Sequence, residues 1–158
     1  MNTTIASSTL AALISLYGVA PAVADSFNDR GSGMEDWASP QQAPAAQTQH
    51  GITFETGGIG QSEAAAMKAA ARHYDLMMTF ADRNGDYLAA VNVKIQNEKG
   101  NPVLETVSDP ILLVDLPAGH YTVQADVDGK LLVKTLTLPA RSNGHPTEVV
   151  YRWPQAFS

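Results

Sequence analysis

From residue 76 onward the chain alternates apolar and polar positions with a period of two, the pattern of strands that bury one face. LMMTFA (residues 76–81) opens the series and runs into DRNGD (82–86), where Asn84-Gly85 signals a tight hairpin turn. YLAAVNVKIQN (87–97) then sets Ala89, Val91, Val93 and Ile95 on one face and Asn92, Lys94 and Gln96 on the other. EKGN (98–101) turns the chain, and VLETVS (103–108) and ILLVDL (111–116) follow, separated by Asp109-Pro110. Pro117-Ala118-Gly119 makes the next turn, Tyr121, Val123, Ala125 and Val127 point inward from the strand after it, and Asp128-Gly129 ends that strand. KLLVKTLTL (130–138) and EVVYRW (148–153) complete the set. About seven short strands with no helix among them predict an all-β fold, an antiparallel sandwich over residues 74–154. The connections are too short for parallel crossovers, which argues against a βαβ arrangement.

Ahead of the strands the pattern changes. QSEAAAMKAAARH predicts one Ala-rich helix over residues 61–73, with Ser62 as its N-cap and Glu63 suited to the positive end of the helix dipole. Met67 is the one larger side chain on its apolar face, so the helix can lie close on a sheet while burying little. Residues 25–60, which include Trp37 in the patch MEDW, are poor in aliphatics and rich in Gly, Pro, Gln, Ser and Ala, and read as a flexible spacer. Residues 1–24 contain no Asp, Glu, Lys or Arg, and LAALISLYGVA (10–20) is an apolar stretch of signal-peptide length. Pro21 and Ala22-Val23-Ala24 follow it, and a signal peptide cleaved after Ala24 is expected. Such leaders usually open with Lys or Arg, and this one does not. The stretch is short for a membrane-spanning helix. The mature chain is therefore expected in the periplasm or outside the cell, with no stable membrane anchor after cleavage.

Composition narrows the function classes. With 158 residues and 44% hydrophobic residues there is enough apolar sequence for one core. The formal net charge is −6 and the ten Lys and Arg are scattered, which argues against a nucleic-acid partner. The absence of cysteine excludes disulfides, thiolate metal sites and a thiol nucleophile, so core packing alone must hold an exported domain together.

The order NGDYLAAVNVKIQNEKGNPVLETVSD, followed by ILLVDLPAGHYTVQADVDGK, resembles the carboxypeptidase regulatory-like domain, a β-sandwich related to transthyretin (prealbumin). The corresponding elements are Ala90 and Val91, Gly100, residues 106–109, and the Leu-Pro-Ala-Gly-x-Tyr-x-Val run over 116–123. The likeness covers residues 76–138 and departs from the family where its Asp-x-x-Gly-x-Phe link is shortened to Asp109-Pro110-Ile111. It implies a transthyretin-like or immunoglobulin-like sandwich and says almost nothing about activity. Physically, Leu116 seats the strand end in the core, Pro117 and Gly119 supply the turn, and the Tyr121 hydroxyl is placed to reach a partner near the edge.

Candidate chemistry is sparse. His50, His73, His120 and His145 show no ligand spacing, so no metal or other cofactor is expected. DRNGD has alternating oxygen side chains like half a calcium loop, but its glycine falls at the fourth position and no bidentate Glu follows at the twelfth. Transthyretin relatives include a hydroxyisourate hydrolase ending in Tyr-Arg-Gly-Ser, whereas here Tyr151-Arg152 is followed by Trp153-Pro154. The expectation is a non-catalytic exported module that binds an envelope or extracellular protein, through exposed strand edges or the loops at one end. The candidate binding residues are Asn84, Asp86, Tyr87, His120, His145 and Trp153. The alternatives are an inhibitor or immunity-type protein of an extracytoplasmic enzyme and, further off, a small-molecule hydrolase of the hydroxyisourate kind.

Overall fold

The computed structural model describes residues 42–140, 144–155 and 157; the expected leader, Trp37 and residues 141–143 lie outside the described residues. In chain order the elements are β1 (Gln47–Gln49), β2 (Ile52–Gly57), α1 (Gln61–Ala70) with a 3-10 turn (Ala71–His73), β3 (Leu76–Ala81), β4 (Val91–Asn97), β5 (Pro102–Ser108), β6 (Ile111–Asp115), β7 (Gly119–Val127), β8 (Lys130–Leu138) and β9 (Thr147–Arg152). They form a β-sandwich of two sheets, five strands in the order β1-β2-β6-β3-β9 and four in the order β5-β4-β7-β8.

Two of these strands lie inside the stretch read as spacer. Residues 47–57 form a hairpin whose turn, His50-Gly51, has φ of 50° and 80°, as a type I′ turn requires. Phe54 on β2 points into the sandwich core and is 4% exposed. The sandwich thus starts at Gln47, ahead of residue 74, and the spacer reading is corrected for this part of the chain.

The directions of the strands bring a second correction. β2 and β3 both pair antiparallel with β6, which lies between them, so they run the same way and α1 is their crossover. β3 and β9 pair in parallel, from Leu76 beside Thr147 to Ala81 beside Arg152. A period of two shows that strands exist but not their direction, and partners this far apart in sequence escape an argument from short connections. The Asn84-Gly85 turn folds the chain back on itself only locally, with Ala81 in an antiparallel bridge to Tyr87; it does not join β3 to β4, which lie in different sheets. Ala89 accordingly leaves the expected inward row, and β4 begins at Val91.

The helix packs on the five-stranded sheet. Met67, with Ala64 and Ala71, meets Met77 of β3 and Ile111 and Leu113 of β6 on that sheet's outer face. This covering explains why ILLVD lacks alternation: Leu112 and Val114 enter the sandwich while Ile111 and Leu113 lie under α1, so both faces are dry. Gly60 rather than Ser62 stands at the N-cap, and Glu63 Oε1 accepts from the N–H groups of Gly58 (2.7 Å) and Ile59 (3.3 Å). Between the sheets, Phe80, Tyr151 and Trp153 form an aromatic cluster with ring centroids 5.6–6.4 Å apart. The Tyr121 hydroxyl donates to the Pro117 carbonyl at 2.8 Å, as the Leu-Pro-Ala-Gly-x-Tyr run predicts.

Candidate functional site

The six residues singled out in the sequence divide between the two ends of the sandwich. Asn84, Asp86, Tyr87 and Trp153 follow the C-terminal ends of β3 and β9, whereas His120 starts β7 and His145 precedes β9. The registers, Asn92 beside Asp126 and Asn97 beside Tyr121, put these two groups at opposite ends, so they form no single site. Trp153 is a core residue, 1% exposed, with its indole N–H donating to the Lys130 carbonyl at 2.7 Å, which corrects its place among surface binding residues. An indole is mostly apolar, and one carbonyl satisfies its single donor, so the interior suits it. His120 Nδ1 meets Thr137 Oγ1 at 3.0 Å across β7 and β8, and His145 is exposed.

At the first end, the loop of residues 82–86 closes on Asp82, whose Oδ1 accepts from the N–H groups of Asn84 (2.7 Å), Gly85 (3.0 Å) and Asp86 (3.0 Å). Tyr87 beyond it is 44% exposed and leans toward α1, with Lys68 Nζ 5.9 Å from its ring centroid. Tyr87, Lys68, Ala64 and Ala65 border a shallow, mainly apolar groove of about 370 Å³.

A larger concavity, about 540 Å³, lies elsewhere, on the outer face of the four-stranded sheet. The side chains there form a grid set by strand register. Val107, Asn92, Asp126 and Leu131 make one row across the four strands, and Glu105, Lys94, Gln124 and Val133 make the next. Amides and charges occupy the middle, while Val107 (58% exposed) on one flank and Leu131 (55%) and Val133 (53%) on the other are apolar. Lys94 and Glu105 pair at 2.8 Å, so their charges largely cancel across this face. The sequence carried half of this signal: the polar side of residues 91–97 was legible, but the rows needed strand pairing.

The remaining perturbed groups are tyrosines. Burial pushes the Tyr74 hydroxyl upward, helped by its 2.7 Å hydrogen bond to Glu55 and by the negative charges of Glu55 and Asp115. Burial likewise raises Tyr151, and burial followed by the Asp75 charge raises Tyr121. All three stay protonated and act as hydrogen-bond donors in the packing. Among the described residues no three His, Asp or Glu side chains group as metal ligands.

No protein-family model and no curated protein matches this sequence. Among solved structures it is similar to the Bacillus anthracis TIE protein, at 23% identity and a TM-score of 0.39, over 49% of this chain and 15% of that one.

Proposed function

We propose that this chain is a non-catalytic binding or accessory module of the carboxypeptidase regulatory-like kind, working in the periplasm or outside the cell. Its partner is an envelope or extracellular protein that docks on the outer face of the four-stranded sheet. One observation carries this reading: the two sheets are finished differently on their outer sides. The five-stranded sheet has α1 over Met77, Ile111 and Leu113, whereas no described residue covers the concave polar grid with apolar flanks on the four-stranded sheet. This inverts the usual apolar centre and polar rim of a protein interface, so hydrogen bonds to the central amides and charges would supply specificity, and Val107, Leu131 and Val133 apolar contact at the margins.

The test is capture from an envelope extract at low and raised salt, with the natural chain and with Gln124→Arg, which places a bulky cation in the middle of the face. A stoichiometric partner held by the natural chain and lost by the variant is the expected result. A partner held equally by both overturns the use of this face. Salt separates the inhibitor reading, since a basic target enzyme binding a chain of net charge −6 would be released as ionic strength rises.

A further inference from the structure

We propose that β8 is a strand-addition edge whose occupant is an extended peptide segment alternating acidic with β-branched apolar residues. The inference rests on the binding-module reading and names the chemistry of the partner.

β8 is nine residues long and, among the described residues, is the outer strand of its sheet, paired along its whole length with β7. The connecting turn has φ of 51° at Asp128 and 76° at Gly129, with Val127 opposite Lys130, which makes it a two-residue type I′ turn. Residues flanking such a turn form a hydrogen-bonded pair, and the pairing alternates from there. Lys130, Leu132, Lys134, Leu136 and Leu138 therefore bond to β7. Leu131, Val133, Thr135 and Thr137 turn their N–H and C=O groups to the open side.

The side chains state what fits beside this edge. Leu131, Val133, Thr135 and Thr137 lie on the outer face of the sheet and carry no charge. The other side of β8 faces the seam between the two sheets and presents Lys130 and Lys134. Lys130 Nζ sits 4.7 Å from the Phe157 ring centroid; Lys134 Nζ sits 4.9 Å from that of Tyr151 and donates to the Val150 carbonyl at 2.6 Å. From β9, Val149 and Tyr151 face the core, while Glu148 and Arg152 occupy the alternate positions, so the carboxylate nearest these lysines in sequence is Asp128 in the turn. On a chain of net charge −6, β8 thus brings two lysines to this seam. An incoming strand sends alternate side chains to the seam, where carboxylates meet Lys130 and Lys134, and the rest to the outer face, where β-branched residues meet Leu131 and Val133.

A second copy fits less well. The antiparallel self-pairing that uses all four open positions sets Leu131 against Thr137 and Val133 against Thr135, and it brings the two copies of Lys134 face to face.

The experiment titrates the isotopically labelled full chain with the synthetic peptide acetyl-Thr-Glu-Val-Glu-Val-Glu-Thr-amide and follows backbone amide resonances and hydrogen exchange. The expected result is shifts and slowed exchange at Leu131, Val133 and Thr135. N-methylating the two peptide valines, which removes donors facing β8 but keeps the side chains, should weaken binding about tenfold or more, as should exchanging the glutamates for lysines. Equal binding of the N-methylated peptide overturns strand addition, as does the absence of shifts at millimolar peptide. Shifts confined to Asn92, Lys94 and Gln124 also overturn it but leave the docking face standing. Protection of the same β8 amides in a dimer without peptide replaces the proposed occupant with a second copy.

Discussion

Asp82 is 1% exposed and holds the loop after β3 through three backbone N–H groups on one oxygen. Burial alone would raise its pKa, but the N–H groups of Asp86, Asn84, Phe157 and Gly85 together pull it below the ordinary carboxylate value. A lowered folded value means that the unfolded chain binds the proton more readily. The stabilisation is therefore complete above the unfolded value of about 3.9, falls as the pH drops below it, and is gone beneath the folded value. Asp82→Asn should flatten the acid limb of the urea midpoint measured against pH and lower the midpoint at neutral pH. At Ala90 the backbone itself is strained, with φ of 56° in a region that costs an L-residue about 1–2 kcal/mol. Ala90→Gly should accordingly raise stability by about 1 kcal/mol in equilibrium unfolding. The inward row from Tyr121 to Val127 and the Tyr121 hydroxyl bond were legible because alternation and a turn fixed them. Trp153 was also legible in principle, since the alternation of 148–153 sets it in the inward row with Val149 and Tyr151, but the Lys130 carbonyl that satisfies its indole lies on another strand and needed the fold.

At the scale of elements, α1 depends on one side chain. Met67 is fully buried among Ala64, Ala71, Met77, Ile111 and Leu113, and the alanines around it add little area. Met67→Ala should cost about 2–5 kcal/mol, the range for emptying such a site. Circular dichroism should show helix loss preceding strand loss in a urea titration, since the sandwich core on the other side of the sheet is untouched. The helix limits were readable from the alanine run; its packing was not, because nothing in that run says which strands lie beneath. The β1-β2 hairpin was hidden for the opposite reason. Ile52 and Phe54 are its only large apolar residues, and it is held by pairing and by contacts such as Gln49 Oε1 accepting from the Glu105 N–H at 2.7 Å, while Glu55 Oε2 is buried without a partner among the described residues. A strand held mainly by backbone bonds at a sheet margin leaves a weak hydrophobic signature.

For the whole molecule, the distribution of covers matters more than any one element. The five-stranded sheet is roofed by α1 and margined by the short β1, and Gln49 reaches from β1 to the margin of β5. The opposite side of the sandwich has β8 and β9 as its two outer strands, bridged by the Lys134 ammonium on the Val150 carbonyl. A nine-residue edge carrying Leu131, Leu132, Val133 and Leu136 would pair with its own copies if nothing opposed it. Lys134 opposes it in two ways: self-pairing places like charges together, and the ammonium already bonded across the seam would have to be displaced. The net charge of −6 adds only a weak and salt-screened repulsion between chains, so the local device should dominate. Lys134→Val keeps the strand propensity and removes both obstacles. Sedimentation velocity should then show more concentration-dependent association than the natural chain does, with little response to salt. Lys134→Arg should sediment as the natural chain does, since it keeps the charge. A Lys134→Val chain that associated no more than the natural chain at high concentration would show that the edge is guarded by its geometry and not by this lysine.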